Sequence, residues 1–95
     1  MHDDLRRQIE ELPDSPGIYV FRGEAGEALY VGKAKSLRKR VPSYLGKDLE
    51  PRLAAMVELA AKVEGVATAT EAAALMLENN WIKRHRPRYN VPLRG

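Results

Sequence analysis

Ninety-five residues are enough for one domain with one modest core, and 44% apolar with 31% charged side chains is a globular balance rather than a disordered one. The chain has no cysteine, which excludes a disulfide framework, a zinc knuckle and a thiol nucleophile. Its apolar runs are too short to span a bilayer, and the charged opening "MHDDLRRQIEELPDS" lacks the apolar core of a secretory signal, so a cytoplasmic location without a membrane partner is expected by default.

The net charge of +3 is unevenly spread. Residues 1–29 carry a balance of −4, residues 30–52 carry +5, residues 53–80 carry −3 and residues 81–95 carry +5. Either basic block alone reads as a solvated face. Two of them, if the fold joins them, make a patch suited to phosphates.

In chain order, "DDLRRQIEEL" predicts a short amphipathic helix with Leu5, Ile9 and Leu12 on one stripe, ended by Pro13. "PDSPG" is turn chemistry, and "IYVFR" and "LYV" around "GEAG" predict a β-hairpin. With 23–26 as a four-residue loop, Arg22 faces Glu27, Tyr19 faces Tyr30 and Gly17 lies opposite Gly32. A slip of one residue would instead put the two phenols on opposite faces. "KAKSLRKRV" (33–41) has helical spacing, with Pro42 expected to end or kink it. "PRLAAMVELAAKVEG" (51–65) predicts a helix with Leu53, Met56, Val57, Ala60 and Val63 inward and Gly65 near its stop. "VATAT" (66–70) suits a third strand, and Thr68 with Glu71 predicts a capping box opening a helix to about His85. "RPRYNVPLRG" reads as an irregular basic tail. The order implies a small α+β domain.

The last helix holds an anomaly. Ala74, Leu75, Leu77, Trp81 and Ile82 form one apolar arc, and Glu78 falls near its middle, with His85 further along the same stripe. A carboxylate there is costly unless a cation, hydrogen bonds or a metal compensates it. A rim ion pair would explain it; so would a single oxygen ligand for a hard ion such as Mg²⁺ or Mn²⁺. Trp81 and the methionines read as core or rim residues, and His85 as structural.

"GIY", then "YVGKAKSLRKRV", then "LENNWIKRHRPRYN" together resemble the GIY-YIG nuclease family, and more narrowly its UvrC-type incision domains of bacterial nucleotide excision repair. The resemblance runs from Leu12 to Val91. It implies an α+β fold with a central three-stranded antiparallel sheet flanked by helices, in a single 1–95 domain with its core at about 12–91. It also implies a catalytic set of Tyr19, Tyr30, Lys33, Arg40, Tyr44 and Asn90, with Glu78 holding one divalent metal ion, Mg²⁺ or Mn²⁺. Pro42 departs from the pattern, so Arg40 and Tyr44 are expected to leave regular helical register.

For the chemistry, Arg40 supplies a fork for non-bridging phosphate oxygens, and Tyr30 beside Lys33 takes a proton from water. Tyr19 orients the water or the phosphate. Lys33 and Arg40 are expected to favour the Tyr30 phenolate. Lys35, Arg38, Lys39, Arg84, Arg86 and Arg88 are candidate backbone contacts, without sequence readout. The implied substrate is damaged double-stranded DNA presented by UvrB, cut 3′ to a lesion. The alternatives are a GIY-YIG domain of a stand-alone or exonuclease-fused nuclease and a catalytically silent DNA-binding module. The end at "VPLRG", without a closing element, is expected of a domain from a longer protein.

Overall fold

The strand that the sequence makes most apolar is the one placed at the centre. "GIYVFR" (β1, Gly17–Arg22) is buried at every position but the last, as a strand covered on both faces must be. In the computed structural model, which describes residues 2–90, β1 pairs antiparallel with β2 (Ala28–Ala34) on one side and β3 (Lys62–Ala67) on the other, in the order β2-β1-β3. On one face, Tyr19, Phe21 and Val63 meet Leu5, Ile9 and Leu12 of the N-terminal helix α1 (His2–Glu10) and its turn. Leu37 of α2 (Leu37–Arg40), Tyr44 of a 3-10 turn (Val41–Leu45), and Met56 and Val57 of α3 (Pro51–Leu59) complete this core. On the other face, Ile18, Val20 and Val31 form a smaller core under Leu77, Trp81 and Ile82 of α4 (Glu71–His85). The result is an α+β domain with a three-stranded antiparallel sheet between helices. No helix among the described residues is long and apolar enough to cross a membrane.

The hairpin register differs from the expected one. Tyr19 lies opposite Gly32 and Phe21 opposite Tyr30, while Arg22 lies opposite Ala28. Leu29 is therefore the extra residue of a bulge, and it joins the core that holds Phe21. Past the bulge the pairing has moved by two residues from the predicted one. An even shift keeps Tyr19 and Tyr30 on one face, as diagonal neighbours rather than directly opposed. Arg22 pairs not with Glu27 but with Glu64 of β3, at 2.7 Å.

Three other boundaries are corrected. Lys33 and Ala34 finish β2, and helix starts only after Ser36, whose hydroxyl accepts the Lys39 N–H. From Val41 the chain tightens into the 3-10 turn, because Pro42 has no N–H to continue an α-helix. α3 ends at Leu59, not Gly65, and β3 covers 62–67 rather than 66–70. Val63 satisfies both helical and strand periodicity, and the open edge of β1 decides between them. The cap of α4 is Thr70, whose hydroxyl accepts the Ala73 N–H, not Thr68. Leu75, expected inward, is exposed. Residues 91–95 of the predicted tail lie outside the described residues.

Side-chain amides occupy both outer edges of the sheet. Asn90 accepts the Val31 N–H and donates to the Val31 carbonyl, each at 2.9 Å, and Tyr89 N–H donates to Leu29. Gln8 accepts the Val63 N–H at 2.9 Å and reaches the Ala61 carbonyl at 3.4 Å. Each amide serves as one residue of an additional strand, which covers an edge that would otherwise pair with another chain. Gln8→Ala should cost about 1 kcal/mol by leaving the Val63 N–H without its partner. Urea unfolding followed through the single tryptophan, Trp81, measures this.

Candidate active site

The phenols of Tyr19, Tyr30 and Tyr44 converge from β1, β2 and the 3-10 turn. Their ring centroids are 5.4 Å (Tyr19–Tyr44), 6.1 Å (Tyr30–Tyr44) and 6.5 Å (Tyr19–Tyr30) apart. The Tyr19 and Tyr44 hydroxyls are hydrogen-bonded at 2.7 Å, and both residues are only 2% exposed. Tyr30 is half-buried and is the phenol nearest solvent. Pro42 does not keep Tyr44 away; the 3-10 turn that it starts aims Tyr44 inward.

Glycine makes room for this cluster. Tyr19 sits between Gly32 of β2 and Gly65 of β3, its partners on either side. A Cβ on Gly32 would collide with the Tyr19 ring and hydroxyl, and one on Gly65 would press on Leu12 and Leu37. The glycine of "YVG" is thus the floor on which the tyrosine of "GIY" lies.

All three phenols are held neutral. Burial raises Tyr19, raises Tyr30 to about 12 with help from Tyr44, and raises Tyr44 further. The expectation that Lys33 and Arg40 favour a Tyr30 phenolate is overturned. On a strand, residues three apart face opposite sides, so Lys33 points away from Tyr30. The cation that does act on Tyr30 is Arg52, which the sequence reading passed over. Tyr19 is buried, and its hydroxyl is hydrogen-bonded to that of Tyr44.

Across the edge strand β2, on the α4 face, lies the acid. Glu78 is half-buried and makes no hydrogen bond or ion pair among the described residues. Desolvation raises its pKa, and the Lys33 charge opposes that rise. Lys33 and Arg40 share a cavity of about 230 Å³ with Lys35, Glu71, Ala34 and Ala74. Arg40 is exposed, but its guanidinium is aimed: it donates to Ser43 Oγ at 2.6 Å and lies 5.4 Å over the Tyr44 ring. Ser43, whose hydroxyl also donates back to the Arg40 carbonyl, is a positioning residue with no sequence signal beyond its place between Arg40 and Tyr44. The site therefore straddles β2, with phenols on one face and Glu78 and Lys33 on the other.

The remaining predicted residues are dispersed. Asn90 lies beside Tyr30 at β2, but its amide is used by the Val31 backbone. Arg38 donates to the Leu12 carbonyl at 3.0 Å and ties α2 to the first turn. Lys39 is exposed on α2. Arg84 and Arg86 stand at the far end of α4, where Arg86 closes the helix in a left-handed conformation, φ 43°. Arg88 stacks on Tyr89. Among the described residues, the second basic block reaches β2 through Trp81 and Ile82, which pack on Val31, and through the 88–90 segment, where Tyr89 and Asn90 bond to Leu29 and Val31.

Glu78 fits a single-carboxylate metal site. No group of three or more His, Asp or Glu side chains among the described residues could form a full protein cage. One half-buried oxygen donor without a competing partner among the described residues suits a hard ion that keeps most of its waters. Gly32→Ala should break the tyrosine cluster, at a cost of about 1–3 kcal/mol from overpacking. Thermal unfolding, with loss of the Tyr19–Tyr44 hydroxyl contact by NMR, measures it.

Residues 15–91 match the family model described as UvrC-like GIY-YIG domain. UvrABC system protein C of Gloeobacter violaceus is 55% identical over 92 residues, covering 95% of this chain and 15% of that protein. Its counterpart in Geobacter metallireducens is 53% identical over 91 residues, covering 94% and 15%. The chain thus spans about 15% of the length of these relatives. The GIY-YIG N-terminal endonuclease domain of UvrC from Thermotoga maritima, bound to its catalytic divalent cation, magnesium, has a TM-score of 0.87 at 38% identity. That match covers 96% of this chain and 100% of that one. A variant of that domain with one asparagine replaced by alanine is also bound to its catalytic divalent cation. The chain belongs to the UvrC-like GIY-YIG family.

Proposed function

We propose that this domain is a divalent-metal-dependent DNA endonuclease, making the incision 3′ to a lesion in UvrABC excision repair on DNA presented by UvrB. The observation that carries the reading is Glu78: a desolvated carboxylate with no hydrogen bond or ion pair among the described residues, across one strand from three phenols and within reach of the Lys33 charge. A pure binding module gains nothing from a destabilising acid at that place. The shape match to a magnesium-bound endonuclease domain supports the same conclusion.

Glu78 would hold the cation through its carboxylate. When bound, Mg²⁺ or Mn²⁺ supplies Lewis-acid stabilisation of the leaving 3′ oxygen. Arg40, fixed by Ser43 and Tyr44, receives the non-bridging oxygens of the reacting phosphate, and Lys33 adds charge on the Glu78 side. Tyr30 is the phenol that reaches solvent, and in its minor phenolate form it would accept the proton of the attacking water, returning to the neutral phenol. Tyr44 and Tyr19 hold Tyr30 in place from behind. Asn90 acts on Tyr30 through the backbone, by fixing the edge of β2 at Val31. Lys35, Lys39, Arg84, Arg86 and Arg88 contact flanking phosphates; Arg38 serves the fold.

The pH dependence follows from the raised phenol. With a pKa near 12, Tyr30 is ionised in only about one molecule in 10⁵ at neutral pH. Its basic form grows tenfold per pH unit, so single-turnover cutting should climb through pH 9 without a plateau near 7. Acid has a second effect, because protons compete with the cation at Glu78, whose raised pKa brings that competition to higher pH than for an ordinary carboxylate. In nicking of a UvrB–damaged-DNA complex by the full-length protein, Glu78→Gln should lower 3′ incision at least about 100-fold. Its Tm should not fall, since a desolvated charge has been removed. Unchanged 3′ incision would contradict the metal assignment, and cutting by neither protein would leave a silent module.

A further inference from the structure

The cavity lined by Lys33, Ala34, Lys35, Arg40, Glu71 and Ala74 contains one acid that the proposed chemistry does not use. Glu71 opens α4, but the helix is capped by Thr70, so the Glu71 carboxylate is not spent on the cap. The side chains of Glu71, Lys33 and Lys35 make no hydrogen bond or ion pair among the described residues. Ala34 and Ala74, both buried, form a small apolar floor. Lys35 beside this floor, next to Lys33 and Arg40, suits a neighbouring phosphate with its flanking sugar carbons. One carboxylate among them opposes any anion that enters.

We propose that the Lys35 side of this cavity seats the DNA-backbone phosphodiester next to the one that Arg40 and Lys33 receive, and that Glu71 is a positioning residue that sets how tightly the seat is filled. The inference rests on the endonuclease reading. With Glu71 in place, one cation of the seat is offset, and a strand delivered without further contacts is held weakly. Affinity for undamaged DNA stays low, and the site fills when other contacts already hold the strand. Because phosphate contacts carry most non-specific affinity and its salt dependence, a single charge here is measurable in both.

The test is an NMR titration of the 95-residue chain with a short undamaged duplex, without divalent metal, at several salt concentrations. Glu71→Gln should bind about three- to tenfold more tightly, with a salt slope steeper by about one unit. Glu71→Asp should behave as wild type, and Lys35→Ala should bind more weakly. Thermal unfolding of each variant separates a lost helix-dipole contribution, which would not steepen the salt slope. Equal or weaker binding by Glu71→Gln would overturn the proposal. So would the absence of amide shifts at Lys33–Lys35 in every protein. In either case, Glu78-dependent incision by the full-length protein would leave the endonuclease reading standing, and its loss would end both.

Discussion

The Tyr19 ring lies over Gly32, and much of the molecule is arranged around that contact. A side chain at Gly32 would occupy the ring's volume. With the ring in place, its hydroxyl meets Tyr44 and fixes the 3-10 turn against the sheet. That turn carries Ser43 and presents Arg40 to the cleft. On its other side Tyr19 faces Gly65, where Leu12 and Leu37 fill the space a Cβ would take and bring α1 and α2 to the same place. One cross-strand aromatic–glycine contact therefore sets both the core and the cation of the site.

The edge position of β2 is the second constraint. A central strand would be covered on both sides of its backbone; an edge strand lets side chains from its two faces meet at one rim. Tyr30 from one face and Glu78 from the other come within electrostatic reach in that way, and Tyr30 senses the Glu78 charge. The cost is an unpaired backbone, which Asn90 covers at Val31. Burial keeps the phenols protonated and Glu78 partly desolvated, so the site is assembled against local stability. Functional centres commonly are, because groups that must bind a cation or move a proton cannot also be satisfied by the fold.

What could be read from sequence depended on range. Leu5, Ile9 and Leu12 on one stripe, the hairpin around "GEAG" and the helix from 71 to 85 are local patterns, and the structure keeps them. Glu78 was visible because one helical period sets its neighbours. β3 was not, since Val63 fits either period and only the empty edge of β1 selects strand. The bulge at Leu29 was invisible for the same reason, and an even shift of register preserved the shared face of Tyr19 and Tyr30. Charge reasoning failed at Tyr30: proximity of Lys33 in sequence places it on the opposite face of the strand, and burial decides the phenol's state. Ser43 and Arg52 carry no signal until the elements that surround them are known. Gly32 and Glu71, read from sequence as a motif glycine and a cap residue, show their places under Tyr19 and in the cavity only then.

The anchor of the site is a single carboxylate, and crystals of this chain soaked in Mn²⁺ test that most directly through anomalous diffraction. The expected map has one strong peak within bonding distance of the Glu78 carboxylate, on the Lys33 side of β2, with no second protein ligand. A peak elsewhere in the cleft with Glu78 bare, or none at saturating Mn²⁺, would contradict the assignment.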